Sequence, residues 1–224
     1  MSDPRWGIVA TVKAPAEDLL RFAAYHLDLG AHRVYLFLDE ANPPAQAHLK
    51  AHPKVRFQVC DDTYWRKVGQ KRPRKHQVRQ AVNATRCYAR AELDWIAHID
   101  VDEFLWAPRP VETVLSGLPQ SVQCARVRPL ESLDGDGTAF KACPVDPAQR
   151  DLAARAIYPT FGKLVKGGFL SHVQGKLFVR TGQDGLTLRI HNVYLNGAEN
   201  PGQVELDEID LCHVHARDWE SWLA

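Results

Sequence analysis

The opening sixty residues alternate between two periodicities. "WGIVATV", from Trp6 to Val12, is a short continuous apolar run of the kind found in buried strands. "APAEDLLRFAAYHLDLG" follows, with Leu19, Leu20, Ala23, Ala24 and Leu27 at helical spacing and Gly30 as a stop. "HRVYLFLD" reads as a second strand and is broken by "EANPP"; "AQAHLKAHP" reads as a short helix and "VRFQVCD" as a third strand. Strand, helix, strand, helix, strand requires right-handed crossovers. The expected fold class is therefore α/β, with a mainly parallel sheet covered by helices on both faces.

Further along, residues 76–91 are expected to be helical, with Val78, Ala81, Val82 and Tyr88 as the apolar face. "DWIAHIDVDEFL", Asp94 to Leu105, reads as a fourth strand, "PVETVLSGLP" as a short helix closed by Gly117 and Pro119, and "VQCARVRPL" as a strand. Beyond Glu131 the chain turns rich in Gly, Asp and Pro and reads as a long loop to about Pro159. "GKLFVRTG" and "LTLRIHNVYL" are expected to form a late hairpin, and "LDEIDLCHVHARDWESWLA" a strand and the beginning of an amphipathic helix. That helix is cut short, so the natural protein is expected to continue past Ala224. The organisation is one domain, residues 1–224, with a nucleotide-binding-like half (1–106) and a more irregular half (107–224).

In open α/β sheets ligands bind beyond the carboxyl ends of the strands. Asp39, Asp61, Asp62, Asp100 and Asp102 all fall at or just past such ends. Asp100, Asp102 and Glu103 crowd three carboxylates at the end of a core strand, which is costly unless a cation compensates. An isolated D-x-D is usually a solvated turn. Here an apolar strand runs into it and Phe104 and Leu105 follow it, so a site is the better reading. At a strand end Asp100 and Asp102 can bracket a cation as metal-ligand candidates, and oxygen-only ligands with substrate phosphates suit Mg²⁺ or Mn²⁺.

Global composition narrows the partners. Lys+Arg 28 against Asp+Glu 27 gives a net charge of +1, so no nucleic acid is expected and any electrostatic function is local. The basic stretch "WRKVGQKRPRKHQVR" has few aromatics beside it. It reads as a solvated helix face, as a contact for diphosphate, or as a contact for anionic lipid or an anionic glycan, with Lys71, Arg74 and Gln77 as donor-binding candidates. Five scattered cysteines form no C-x-x-C pair and read as reduced thiols of a cytoplasmic protein. No apolar run reaches the roughly 18 residues of a membrane span, which leaves peripheral membrane contact open.

"HIDVDEFL" resembles the D-x-D-E-F segment of GT-A-type glycosyltransferases in the group related to glycosyltransferase family 2. "VKAPAEDLLRFAAYHLDLGAHRVYLFLDEAN" is similar to that group's N-terminal block, with its V-K start, Y-H before an L-G turn, and strand ending in Asp. "GKLFVR", "RIHNVYL" and "LCHVHARDW" resemble its G-K-x-x-x-R and histidine elements. Three positions depart: Ala14 and Pro15 stand where the group has Asn-Glu, and Arg21 where a Glu is common.

The resemblance implies a GT-A-like, Rossmann-like mixed sheet. It also implies metal-dependent transfer of a sugar from a nucleotide-diphosphate donor to a glycan or other hydroxyl acceptor, with inversion. Asp39 matches the acid near the base or ribose, Asp100 the D-x-D acid nearer the ribose, and Asp102 the direct metal ligand. His213 or His215 matches the histidine that completes the metal shell, with His191 a further candidate. An inverting transfer needs a base for the acceptor hydroxyl. Glu131 is the first choice and Asp134 the second. The alternatives are a non-catalytic GT-A-like module that binds a nucleotide or glycan, and a haloacid-dehalogenase-like phosphatase with Asp100 as nucleophile.

Overall fold

The computed structural model describes residues 3–133, 137–170 and 172–214. The expected alternation forms: β1 (Trp6–Val12), α1 (Ala16–Asp28), β2 (Arg33–Leu38), α2 (Pro43–Ala51) and β3 (Val55–Val59). Then come α3 (Asp62–Val68), α4 (His76–Tyr88), β4 (Trp95–His98), β5 (Glu103–Trp106), α5 (Val111–Ser116), β6 (Cys124–Ser132), β7 (Phe140–Ala142) and α6 (Pro147–Ile157). The chain continues with β8 (Lys176–Arg180), β9 (Leu186–Leu188), β10 (Val193–Leu195), β11 (Ala198–Glu199) and β12 (Gln203–His213).

The main sheet has the order β3-β2-β1-β4-β8-β6-β12-β5, with β7 added to β6. β3, β2, β1, β4, β6 and β12 run one way, and β8 and β5 run against them. This is the mixed, mainly parallel α/β sheet expected. Its first four strands have the order of a dinucleotide-binding half, 3-2-1-4.

β1 is buried along its whole length because both faces are covered. Alternate residues serve opposite layers. Ile8 and Ala10 pack with Leu19, Phe22 and Leu49 of α1 and α2, whereas Val9 packs with Ala84, Cys87 and Tyr88 of α4. Helix starts carry local signals: Asn42 accepts from the Ala45 N–H ahead of a Pro-Pro first turn, and Asp61 accepts from the Tyr64 N–H.

Four expectations change. Residues 94–105 are not one strand: β4 ends at His98, the chain turns through residues 100–102, and β5 lies at the far edge of the sheet beside β12. "GKLFVR" does not pair with "LTLRIHNVYL". Four of the five β8 residues are buried, so it takes a central place between β4 and β6. β9, β10 and β11 form a separate small sheet. The long loop contains β7 and α6, the latter capped by Asp146 with Pro147 in its first turn. Val78 is exposed, because α4 turns a polar stripe inward at its N-terminal end. All five cysteines are free thiols. Among the described residues no helix is long and apolar enough to cross a membrane.

Candidate active site

The carboxyl ends of β1, β2 and β4 meet over the N-terminal half of α4. Asp39 leaves β2 with its N–H donating to Val12 O at 2.8 Å, and its side chain is buried. Arg79 grips it from α4, with Nε 2.9 Å from both carboxylate oxygens and Nη2 at 2.5 Å from Oδ2. Arg72 donates to the Asp39 carbonyl at 2.8 Å and lies 3.2 Å from Oδ1; His76 Nδ1 stands 3.2 Å from Oδ2. Burial pushes this carboxyl up, but the Arg79 guanidinium and His76 hold it below its ordinary value. Asp39 is thus an anchored anion that aims two arginines at the strand ends. Lys71 and Arg72 line an open depression of about 730 Å³ with Asp62, Trp65 and Arg66. Lys71, Arg74 and Gln77 have exposed side chains.

The acidic turn after β4 is built reciprocally. The Asp100 N–H donates to Glu103 Oε2 at 2.8 Å, and the Glu103 N–H donates to Asp100 O at 3.1 Å. Lys176, fully buried at the start of β8, sets its Nζ 2.6 Å from Asp100 Oδ2 and 3.4 Å from Glu103 Oε2. Gln80 of α4 donates to Asp100 Oδ1. Burial pushes the Glu103 carboxyl up to about 7, against the pull of Lys176. Burial pushes the Asp100 carboxyl up, but Lys176 together with His98 and His191 holds it below its ordinary value.

Asp102 is the open member, with its side chain 41% exposed. His213 Nε2 lies 3.1 Å from its Oδ2, and the Val214 N–H donates to its carbonyl at 2.8 Å. Burial pushes the His213 imidazole down, but Asp102 more than offsets this and its pKa is raised. Two ligand atoms 3.1 Å apart match the edge of an octahedron with metal–ligand distances of about 2.1 Å. The pair therefore suits either a hydrogen bond or a shared Mn²⁺ or Mg²⁺, with His213 as neutral imidazole. Among the described residues no three His, Cys, Asp or Glu side chains gather closely enough to form a complete protein cage. Hard cations of this kind keep several waters and substrate oxygens, so a two-residue foothold fits their chemistry.

Register extends the site sideways. Glu103, His213, Glu131 and Lys141 lie opposite one another across β5, β12, β6 and β7, and so share one face. Glu131 is buried; Lys141 Nζ lies 3.0 Å from its Oε2, and the Leu170 N–H donates to Oε1 at 2.8 Å. His191 is nearby but turned to the backbone: its Nδ1–H donates to Gly175 O at 2.9 Å and its ring stacks on His172 at 4.1 Å. Burial and Lys176 push its pKa to about 4. Asp134 and His215 lie outside the described residues.

The residues that hold the acids were hidden in the sequence by ordinary appearance. His76, Arg79, Gln80 and Asn83 recur at i, i+3, i+4, i+7. That is a helical polar stripe, which could have marked the inward face of α4. Asn83 is fully buried, donating to Thr11 Oγ1 at 3.1 Å and accepting from Tyr64 OH at 2.7 Å.

The model of glycosyltransferase family 92 matches residues 9–124, slightly more than half of the 224-residue chain. No curated protein matches it. Among solved structures the chain is similar to CMP:2-keto-3-deoxy-manno-octonic acid synthetase complexed with CTP. The identity is 16% and the TM-score 0.40, over 79% of this chain and 74% of that one. It is also similar to glucosyl-3-phosphoglycerate synthase from Mycobacterium tuberculosis in complex with Mn²⁺, UDP and phosphoglyceric acid. There the identity is 14% and the TM-score 0.36, over 79% of this chain and 56% of that one.

Proposed function

Because this chain belongs to glycosyltransferase family 92 and is a glycosyltransferase, we propose that it moves a sugar from a nucleotide-diphosphate donor to a hydroxyl acceptor, with inversion and with a divalent cation. The observation that carries this reading is the Asp102–His213 pair, 3.1 Å apart at the edge of a row of strand-end acids. Asp102 and His213 would hold Mn²⁺ or Mg²⁺, which when bound neutralises charge on the leaving diphosphate. Arg72 and Lys71, beside the open depression, supply positive charge for the nucleotide diphosphate. Asp39 acts through Arg72 and Arg79, which it orients. Asp100 faces the donor ribose from the turn that Lys176 and Gln80 hold.

Glu131 serves as the acceptor-side base. Its carboxylate is oriented by Lys141 and the Leu170 N–H on the same sheet face as His213. It takes the proton of the acceptor hydroxyl as that oxygen bonds to the anomeric carbon, and the donor C–O bond breaks with its electron pair leaving on the diphosphate. A cytoplasmic location is part of the same proposal, on the reading of five scattered cysteines as reduced thiols.

Thermal unfolding with a panel of nucleotide diphosphates tests the donor and cation together, since ligand bound to the folded state raises the midpoint. At least one diphosphate is expected to raise it in Mn²⁺ and not in chelator, and Asp102→Ala is expected to abolish the rise. A diphosphate shift that is intact in Asp102→Ala would sink the cation pair. Glu131→Gln is expected to keep that shift while lowering transfer by about 100-fold or more.

A further inference from the structure

A buried ammonium without matched charge is strongly unfavourable, so a fully buried lysine has a structural reason to be where it is. Lys176 is such a residue, with a side chain 1% exposed. The fold delivers it by strand direction. β8 runs antiparallel to β4, so its first residue lies at the exit of β4, where the acidic turn begins. The residue before it has to be glycine. Gly175 has φ +68°, and a Cβ there would sit 2.0 Å from the Val127 carbonyl oxygen of β6. The chain passes flat against β6 and then turns its next side chain inward.

The consequence at the turn is an asymmetry between its two aspartates. Both carboxylate oxygens of Asp100 are taken by protein donors, Lys176 on Oδ2 and Gln80 on Oδ1. Asp102 is more exposed and meets only His213 among the described side chains. Burial lowers the Lys176 ammonium, yet Glu103 and Asp100 carry its pKa above the ordinary value, so it is charged throughout the neutral range.

We propose that Lys176 is the positioning residue of the acidic turn, an internal cation that occupies Asp100 and Glu103, keeps Asp100 out of the metal's coordination shell, and leaves the ion to Asp102 and His213. This rests on the cation reading given above. The two aspartates then have different jobs: one is fixed by the protein's own positive charge, and the other is free for an exchangeable one.

Titrating the full-length protein with Mn²⁺ alone, and following the free ion by electron paramagnetic resonance, separates the possibilities. Asp102→Asn is expected to weaken Mn²⁺ by about tenfold or more, in the range seen when metal-site residues are changed. Asp100→Asn is expected to stay within about twofold of the parent, because Asp100 is not a ligand. Lys176→Gln frees Asp100 and is expected to tighten Mn²⁺ several-fold while lowering kcat more than the donor KM. A merely structural lysine would not tighten the ion. Equal weakening by Asp100→Asn and Asp102→Asn overturns the role given to Lys176 and leaves the cation reading standing. Absence of Mn²⁺ binding by the parent overturns both. If Lys176→Gln does not fold, Asp100→Asn still decides.

Discussion

Leu105 shows how much one backbone position can organise. It lies on β5, the last strand of the main sheet, where one edge faces away from β12. Open edges leave N–H and C=O groups unpaired. Here Tyr25 OH donates to Leu105 O at 2.8 Å, and the Leu105 N–H donates to His26 Nε2 at 3.3 Å. Phe104 beside it stacks on His26, with ring centroids 5.8 Å apart and planes 7° apart, and meets Tyr25 and Phe22 edge-on. The Y-H pair of the N-terminal block and the E-F pair of the acidic segment are thus two halves of one joint. His26 is buried and its Nδ1–H donates to Phe22 O, which fixes the neutral tautomer, and burial pushes its pKa to about 4. The unfolded chain protonates this ring near 6.5 and the folded one only near 4. Stability from His26 is therefore full above about 6.5 and is lost as pH falls toward 4. Between pH 7 and 5 the loss from this ring is on the order of 2 kcal/mol. Urea unfolding of His26→Gln at the two pH values is expected to show a correspondingly smaller pH dependence than the parent; an equal dependence would exclude His26. Tyr25→Phe is expected to cost about 1 kcal/mol at either pH.

At the scale of elements, strands and helices whose apolar periodicity is local were readable: β1, α1, β2, α2 and β3 stand where the alternation predicts. What was not readable was pairing. β8 and β5 look in sequence like any short strand, and their places are fixed by partners about 50 to 110 residues away. The D-x-D acids could be singled out in the sequence because they fall just past a strand end, but the residues that hold them could not. Gln80, Arg79 and Lys176 are common surface residue types, and only the burial of one α4 face and one strand start makes them inward. Glycine supplied a missed clue. Gly175→Ala would force a side chain into the Val127 carbonyl at a left-handed φ. It is expected to cost at least about 2 kcal/mol in chemical denaturation, the sum of the backbone penalty and the displaced strand. A change within about 0.5 kcal/mol would mean that β6 and β8 can separate freely at this point.

Across the whole molecule, β6 and β12 of the second half extend the sheet begun by β1 to β4, with β8 bridging the two. The candidate site is therefore assembled from residues remote in sequence: Asp39, Gln80, Asp100, Lys176 and His213. β12 slots between β6 and β5, so β5 has no neighbour in the main sheet until β12 arrives. Native-state hydrogen exchange is expected to show residues 103–106 and 210–213 opening together as one unit, because each protects the other. Independent exchange of the two segments would argue against that coupling. The same insertion has a meaning in time. Asp102 and His213 are 111 residues apart. At translation rates of about 5–20 residues per second, a growing chain carries the first for roughly 6–22 seconds before the second is made. On the cation reading proposed above, the nascent chain in that interval has its acids but not its imidazole, and it is expected to be silent toward the donor pool while still attached to the ribosome.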